Sequence, residues 1–151
     1  MAEPDARPGA SDRLGRACSD PLRHHDLCFG CGQANLFGLQ LELERSGEGV
    51  EGRFFVKQDH QGPPGYAHGG VMAAALDDAM ALLVFERGTF AVTGRLEVDL
   101  LAPAPVGAFV QVSARLEEEG ERTLELSAEA TGEDGRRLAA ARGTFVRIAS
   151  R

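Results

Sequence analysis

One apolar segment in the middle of the chain most restricts what the protein can fold into. Residues 70–87 contain Ala, Met and Leu at high density and end before Gly88, with Arg87 in the last turn; this pattern is typical of a helix. Its longest apolar run covers 15 positions and is interrupted by Asp77 and Asp78, whereas a membrane span needs about 20 apolar residues. The segment therefore predicts a helix buried inside a globular domain and argues against a transmembrane segment.

Segments with alternating apolar and polar residues flank this helix on both sides. Leu39, Leu41 and Leu43 alternate with polar residues, and a Gly-Glu-Gly turn at residues 47–49 precedes a return strand at residues 50–56. Four more strands are predicted after the helix, at residues 91–100, 109–117, 122–131 and 136–148. Two strands, one helix and four strands is the order of an α+β domain, in which an antiparallel sheet packs on a segregated helix. Because the helix is apolar on most sides, we expect a strongly curved six-stranded sheet around it and a second subunit over the remaining surface.

Composition narrows the possible compartments and partners. The length of 151 residues predicts a single domain, which we place at residues 21–151. Residues 1–20 are rich in Ala, Gly, Pro, Asp and Arg, which predicts a disordered tail. The formal charge of -7 argues against nucleic acid and against an anionic membrane surface. With no signal-peptide core and with three cysteines, too few for a disulfide framework, we expect a cytoplasmic protein.

The loop before the helix ends in the sequence Tyr-Ala-His-Gly-Gly at residues 66–70. A helix N-terminus leaves backbone N–H groups unpaired and attracts negative charge. Two glycines let a ligand approach that backbone closely. Gly69 and Gly70 therefore indicate either an oxyanion site that polarises a carbonyl group or a tight turn with an incidental histidine at position 68.

Two adjacent carboxylates, Asp77 and Asp78, lie within the apolar helix. Burying a carboxylate is costly unless it is paired or functional. Neighbouring helix positions point about 100° apart, so the two cannot serve the same site. Small residues at positions 70, 74 and 81 leave room for a ligand beside Asp77. The pair indicates either a general base or nucleophile, or one solvated and one hydrogen-bonded aspartate.

A Cys-Phe-Gly-Cys-Gly segment at residues 28–32 follows His24, His25 and Asp26. Two cysteines at this spacing suit zinc, and His24, His25 and His60 are available to complete a site after folding. A thioredoxin-like redox role would need the pair at a βα junction, which the predicted elements do not supply. We favour a structural turn over zinc, and zinc over redox chemistry.

Together these segments resemble one family. Residues 68–79, His-Gly-Gly-Val-Met-Ala-Ala-Ala-Leu-Asp-Asp-Ala, are similar to the helix-opening motif of hotdog-fold acyl-CoA thioesterases of the PaaI type. Residues 28–39, 60–66 and 101–107 are also similar to members of that group. The resemblance covers about residues 24–148, and its most specific element is the His-Gly-Gly with an aspartate nine residues after the histidine.

The resemblance implies a reaction and roles for particular residues. It implies hydrolysis of acyl-CoA thioesters, with no cofactor or metal, by a hotdog domain. Asp77 matches the catalytic carboxylate and the Gly69 N–H matches the oxyanion donor, and His68, which opens the motif, is expected among the catalytic residues. Thr93 falls where relatives often have a hydroxyl that helps to place the attacking water; by itself it is an ordinary strand residue. Expected substrate contacts come from the following residues: Gly70, Asp78, and His60 or Gln61 in the approach loop.

Two other functions remain open at this point. The fold could serve as a non-catalytic acyl-CoA-binding or sensing protein, because fold does not fix function. It could also serve as a hotdog enoyl-CoA hydratase or dehydratase. The resemblance implies a homodimer or a homotetramer with active sites between subunits. Strand 91–100 is expected at the edge where two sheets join.

Overall fold

One long helix lies against a six-stranded antiparallel sheet in the computed structural model, which describes residues 21–149. The helix, α1, spans Gly69–Glu86, and a 3-10 turn at Gln58–His60 comes before it. The strands are β1 Glu42–Ser46, β2 Gly49–Phe55, β3 Ala91–Leu100, β4 Phe109–Glu119, β5 Thr123–Gly132 and β6 Arg137–Arg147.

The strands pair in the order β1-β2-β4-β5-β6-β3, and every neighbouring pair is antiparallel. This confirms the predicted α+β class, and the arrangement is that of the hotdog fold. Strand β3 follows the helix in the sequence but lies at the far edge of the sheet, beside β6. Its outer edge therefore has no strand partner within residues 21–149.

Helix α1 packs on the inner face of strands β2 to β6. Because apolar residues surround the helix, nine of its positions are buried, and Met80 and Leu82 are among those with no exposure. The opposing sheet face contributes alternate residues of each strand, such as Leu124 and Leu126 of β5. Two buried polar or charged residues lie within residues 21–149, His60 and Asp78.

The first strand is shorter than the sequence predicts. Leu39, Leu41 and Leu43 are buried as their alternation predicts, but β1 begins only at Glu42. The N–H groups of Leu39 and Leu41 donate to the carbonyl oxygens of Phe29 and Gly30, at 2.8 Å each. The segment therefore pairs with the cysteine-containing loop before it joins the sheet.

The predicted tail, residues 1–20, lies outside the described residues. Within residues 21–149, no helix has both the length and the apolar composition needed to cross a membrane.

Candidate active site

The N-terminus of α1 presents one free backbone donor. His68 is the N-cap, and its Nδ1 accepts a hydrogen bond from the Gly70 N–H at 2.9 Å. The His68 carbonyl accepts from the N–H groups of Val71 and Met72. The Gly69 N–H has no partner among residues 21–149. Of the two glycines predicted to bind an oxyanion, Gly69 is the one whose N–H is available, because His68 already occupies the N–H of Gly70.

Asp77 and Thr93 meet beside the middle of α1. The Thr93 hydroxyl donates a hydrogen bond to Asp77 Oδ1, with 2.7 Å between the oxygens. Thr93 lies near the start of β3, and the register of β3 against β6 shifts just after it, at Gly94. Such irregularities in edge strands re-aim side chains and occur often near active sites. The structure thus brings together two residues that the sequence pointed to separately.

The surroundings of Asp77 make its carboxylate more basic than an exposed one. Burial raises the pKa of Asp77 above its ordinary value of 3.8, and the hydrogen bond from Thr93 offsets part of that rise. The charge of Asp78 raises the pKa of Asp77 further. A carboxylate with a raised pKa is better suited to take a proton from water than a solvated one.

Asp77 and Gly69 of one chain cannot contact the same small group. Asp77 lies eight positions after Gly69 in one continuous helix, which separates their backbones by about 12 Å along the helix axis. A carbonyl held by the Gly69 N–H is therefore out of reach of the Asp77 carboxylate of the same chain.

Asp78 faces away from Asp77, as the 100° between neighbouring helix positions predicts. Its residue is 8% exposed, and its Oδ1 lies 3.2 Å from Cys28 Sγ and 3.5 Å from His24 Nδ1. The hydrogen bonds of His24 to Asp78 and to Cys31 raise the pKa of His24 to about 11. The sequence predicted a substrate contact for Asp78, but the structure directs it to the cysteine-containing loop.

Sequence reasoning missed this contact because Cys28 and Asp78 are 50 positions apart. The available signal was the coincidence of an aspartate in an apolar helix with a Cys-x-x-Cys segment that has a histidine four residues before it.

His60 and Gln61 make contacts within the approach loop. His60 is 2% exposed; its Nδ1 accepts from the Lys57 N–H at 3.1 Å and its Nε2 donates to the Gly38 carbonyl at 3.2 Å. Burial lowers the pKa of His60 below 6.5. Both ring nitrogens are thus engaged within the chain, which leaves neither free to contact a substrate. Gln61 is exposed, and its Oε1 accepts from the Gly65 N–H at 2.7 Å.

Comparison with protein families identifies the family of this chain. The family described as the thioesterase superfamily matches residues 64–139, which is half of the chain and includes Gly69, Asp77 and Thr93. The chain belongs to the thioesterase superfamily. Curated proteins offer no match to it.

Solved structures of this superfamily share the fold. A phenylacetic acid degradation-related protein from Ralstonia eutropha JMP134 is 27% identical, with a TM-score of 0.65 over 72% of this chain and 85% of the other. The PaaI protein of E. coli is 21% identical, with a TM-score of 0.71 over 80% and 85% of the two chains. A thioesterase protein from Streptococcus pneumoniae TIGR4, solved with coenzyme A, is also 21% identical, with a TM-score of 0.69 over 74% and 88%.

Proposed function

We propose that the protein hydrolyses acyl-CoA thioesters at sites shared between two copies of the chain. Asp77 and Thr93 come from one copy, and the Gly69 N–H comes from the other. The observation that supports this most directly is the hydrogen bond between Thr93 and Asp77, which holds a partly buried carboxylate at the edge of the sheet. The partly buried carboxylate of Asp77 is thus fixed beside Thr93, an exposed residue of the edge strand.

In the proposed reaction, the Gly69 N–H donates to the thioester carbonyl oxygen. The dipole of α1 adds to this interaction, and both stabilise the negative charge that develops on the oxygen. Asp77 takes a proton from water while the water oxygen attacks the carbonyl carbon. The carbon–sulfur bond then breaks, the leaving sulfur takes the proton that Asp77 had accepted, and the products are the free acid and CoA as the thiol. Attack by Asp77 itself, followed by hydrolysis of the resulting anhydride, would use the same residues.

Three features of the single chain support a shared site. The about 12 Å between Gly69 and Asp77 along α1 is too long for one substrate carbonyl. The outer edge of β3 is free, and two of its apolar residues are exposed, Val92 at 49% and Leu100 at 57%. Two polar grooves on the outer sheet surface, both lined in part by Glu51 and Ser113, include none of the proposed catalytic residues. Pairing of two β3 strands would cover the exposed edge.

Relatives supply independent support for the residues and the substrate. Structures of two variants of the S. pneumoniae protein have been solved. In one variant an aspartate is replaced by alanine, and in the other a threonine is replaced by alanine. Those residues are separated by the same 16 positions as Asp77 and Thr93. A protein from Streptococcus mutans UA159 was solved bound to acetyl CoA.

The replacement Asp77→Asn tests the proposal, because it keeps the shape of the side chain and removes the base. We expect kcat for acyl-CoA hydrolysis to fall by about 10²-fold or more, measured by thiol release over a panel of aliphatic and aromatic acyl-CoAs. Asp99→Asn, an exposed carboxylate on the same strand as Thr93, is the matched control and should keep its activity.

Undiminished hydrolysis by the Asp77→Asn variant would overturn the assignment of the base. Wild-type protein that binds acyl-CoA but hydrolyses no member of the panel would overturn the proposed reaction. Hydration of a 2-enoyl-CoA in place of hydrolysis would do the same.

A further inference from the structure

Four potential metal ligands converge beneath the loop that precedes β1. His24, Cys28 and Cys31 lie on this loop and Asp78 on α1, and one donor atom of each lies within 4.8 Å of all the others. His24 Nδ1 lies 3.3 Å from Cys31 Sγ, 3.7 Å from Cys28 Sγ and 3.5 Å from Asp78 Oδ1. Cys28 Sγ lies 3.2 Å from Asp78 Oδ1.

We propose that His24, Cys28, Cys31 and Asp78 bind one zinc ion, which fastens this loop to α1. Cysteine, histidine and aspartate are all zinc ligands, and structural zinc sites are tetrahedral. With usual zinc–sulfur, zinc–nitrogen and zinc–oxygen distances, neighbouring ligand atoms of a tetrahedron lie about 3.3 to 3.8 Å apart. Three of the four separations given above, from 3.3 to 3.7 Å, fall within that range, and the fourth, 3.2 Å between Cys28 Sγ and Asp78 Oδ1, lies just below it.

Hydrogen bonding alone accounts poorly for this arrangement. His24 Nδ1 faces two sulfurs and one carboxylate oxygen, yet a ring nitrogen has either one proton or one lone pair and makes one good hydrogen bond. Asp78 Oδ2 is buried and has no hydrogen-bond partner among residues 21–149. An unpartnered buried carboxylate oxygen is costly. A cation at the common centre would satisfy all four groups together.

The surrounding residues are shaped to hold the ligands. Gly30, between the two cysteines, lies so close to Asp78 that a Cβ there would overlap the Asp78 carboxyl group. The backbone N–H of His24 donates to Cys31 Sγ at 3.3 Å, which helps to hold the Cys31 sulfur in the cluster. The rings of His24 and Phe85 pack in an edge-to-face arrangement, with 5.4 Å between ring centres.

Charge and protons balance on binding. Two thiolates, one carboxylate and one neutral imidazole give the ligand set a charge of -3, so zinc leaves a residual charge of -1. The cysteines bind zinc as thiolates and His24 binds it as the neutral imidazole, so the protons that these groups hold are released to solvent as zinc binds. Four protein ligands leave no open position for water or substrate. The ion is therefore structural, and the thioesterase reaction proposed above does not depend on its chemistry.

Metal analysis of the full-length protein tests the proposal. Protein produced in zinc-supplemented medium, purified without chelators and passed through a desalting column, should contain one zinc per chain by elemental analysis. Protein reduced and stripped of metal should bind Co²⁺ and show the strong visible absorption and sulfur-to-metal charge transfer of a tetrahedral thiolate site. Adding Zn²⁺ to the stripped protein should raise its Tm.

Variants identify the ligands through matched pairs. Asp78→Asn should lose stoichiometric zinc, whereas Asp77→Asn, the adjacent carboxylate on the same helix, should lose turnover and keep zinc. His24→Ala should lose zinc, and His25→Ala, an exposed neighbour, should keep it. Cys28→Ser and Cys31→Ser should lose zinc, and Cys18→Ser, at a position outside the described residues, should keep it.

Because the readout is metal content, it stands apart from the proposed reaction. Zinc binding without hydrolysis would remove the proposed function and leave this inference intact. If the stripped wild-type protein binds neither Zn²⁺ nor Co²⁺ and its Tm does not respond to either, the zinc site is disproved. Zinc retained equally by Asp78→Asn and His24→Ala would also disprove this ligand set.

Discussion

At the scale of single residues, two adjacent aspartates of α1 point in different directions and contact different partners. Asp77 meets the hydroxyl of Thr93, and Asp78 meets the thiol of Cys28 and the ring of His24. The angle between neighbouring helix positions predicted that they would diverge. The partner of each could not be predicted, because Thr93 and Cys28 reach the helix only through the long-range packing of the sheet and the loop.

The hydroxyl of Thr93 should matter for turnover through its hold on Asp77. Thr93→Val removes the hydrogen bond while keeping the side-chain shape, and a hydrogen bond to a charged group contributes about 1.5–3 kcal/mol. We expect kcat for acyl-CoA hydrolysis to fall by about 10- to 100-fold. Thr93→Ser, which keeps the hydroxyl, should recover most of the loss. Equal activity of the valine and serine variants would show that the hydrogen bond is not used.

His60 should make stability depend on pH. Burial lowers the pKa of His60 in the folded protein below 6.5, so between the two pKa values the unfolded chain binds more protons. The free energy of unfolding therefore rises with pH in that window. The contribution of His60 to it is fully present above pH 6.5 and is lost as the pH falls through the folded-state pKa. Denaturant unfolding of the wild type between pH 5 and 7 should show this slope.

The variant His60→Asn should reduce that slope and lower stability. It keeps an acceptor for the Lys57 N–H but loses the hydrogen bond to the Gly38 carbonyl, which we expect to cost about 1–3 kcal/mol. His25→Asn, an exposed histidine, is the control and should keep the wild-type slope. An unchanged slope in His60→Asn would mean that other groups set the pH dependence.

At the scale of elements, the sequence predicted every helix and strand that the structure has in residues 42–147, except the short 3-10 turn. Apolar periodicity sufficed for β3, whose predicted bounds match those of the structure, and for α1, which begins one residue earlier than predicted. It failed at Leu39 and Leu41, which alternate like strand residues but bond to the backbone of the cysteine-containing loop. Apolar periodicity also failed to predict the burial of His60, because it does not indicate whether a histidine in a loop is buried or exposed.

The N-terminus of α1 allows a test of the oxyanion donor that preserves the helix. Gly69→Pro removes the one free N–H, and proline is well tolerated at the first position of a helix. His68, with φ of -62° and ψ of 137°, already has the extended conformation that a following proline requires. Loss of one oxyanion donor should lower kcat by about 10²- to 10³-fold.

Gly69→Ala is the matched control for this experiment. Its Cβ meets the same Leu100 side chain, but its N–H remains. It should therefore keep far more activity than Gly69→Pro. Similar activity of the proline and alanine variants, with similar Tm values, would exclude the Gly69 N–H as the oxyanion donor.

At the scale of the whole molecule, the single chain separates the groups that we propose for catalysis and leaves one edge of its sheet unpaired. Gly69 and Asp77 lie at different depths along one helix, and the edge strand β3 exposes apolar side chains and unpaired backbone groups. Phe90, just before β3, is 56% exposed. Apolar exposure of this kind favours association. A twofold dimer would bring each Gly69 toward the other chain's Asp77 and would create two equivalent sites.

Mixing two inactive variants tests this assembly directly. In a heterodimer of Asp77→Asn and Gly69→Pro chains, one site collects both substitutions and the other keeps both wild-type residues. After subunit exchange at equal concentrations, half of the dimers are mixed, so activity should recover to about one quarter of the wild-type value. Light scattering should give a mass of two or four times 16.1 kDa. A fully active monomer, or no recovery after exchange confirmed by differently tagged chains, would show that each chain forms its own site.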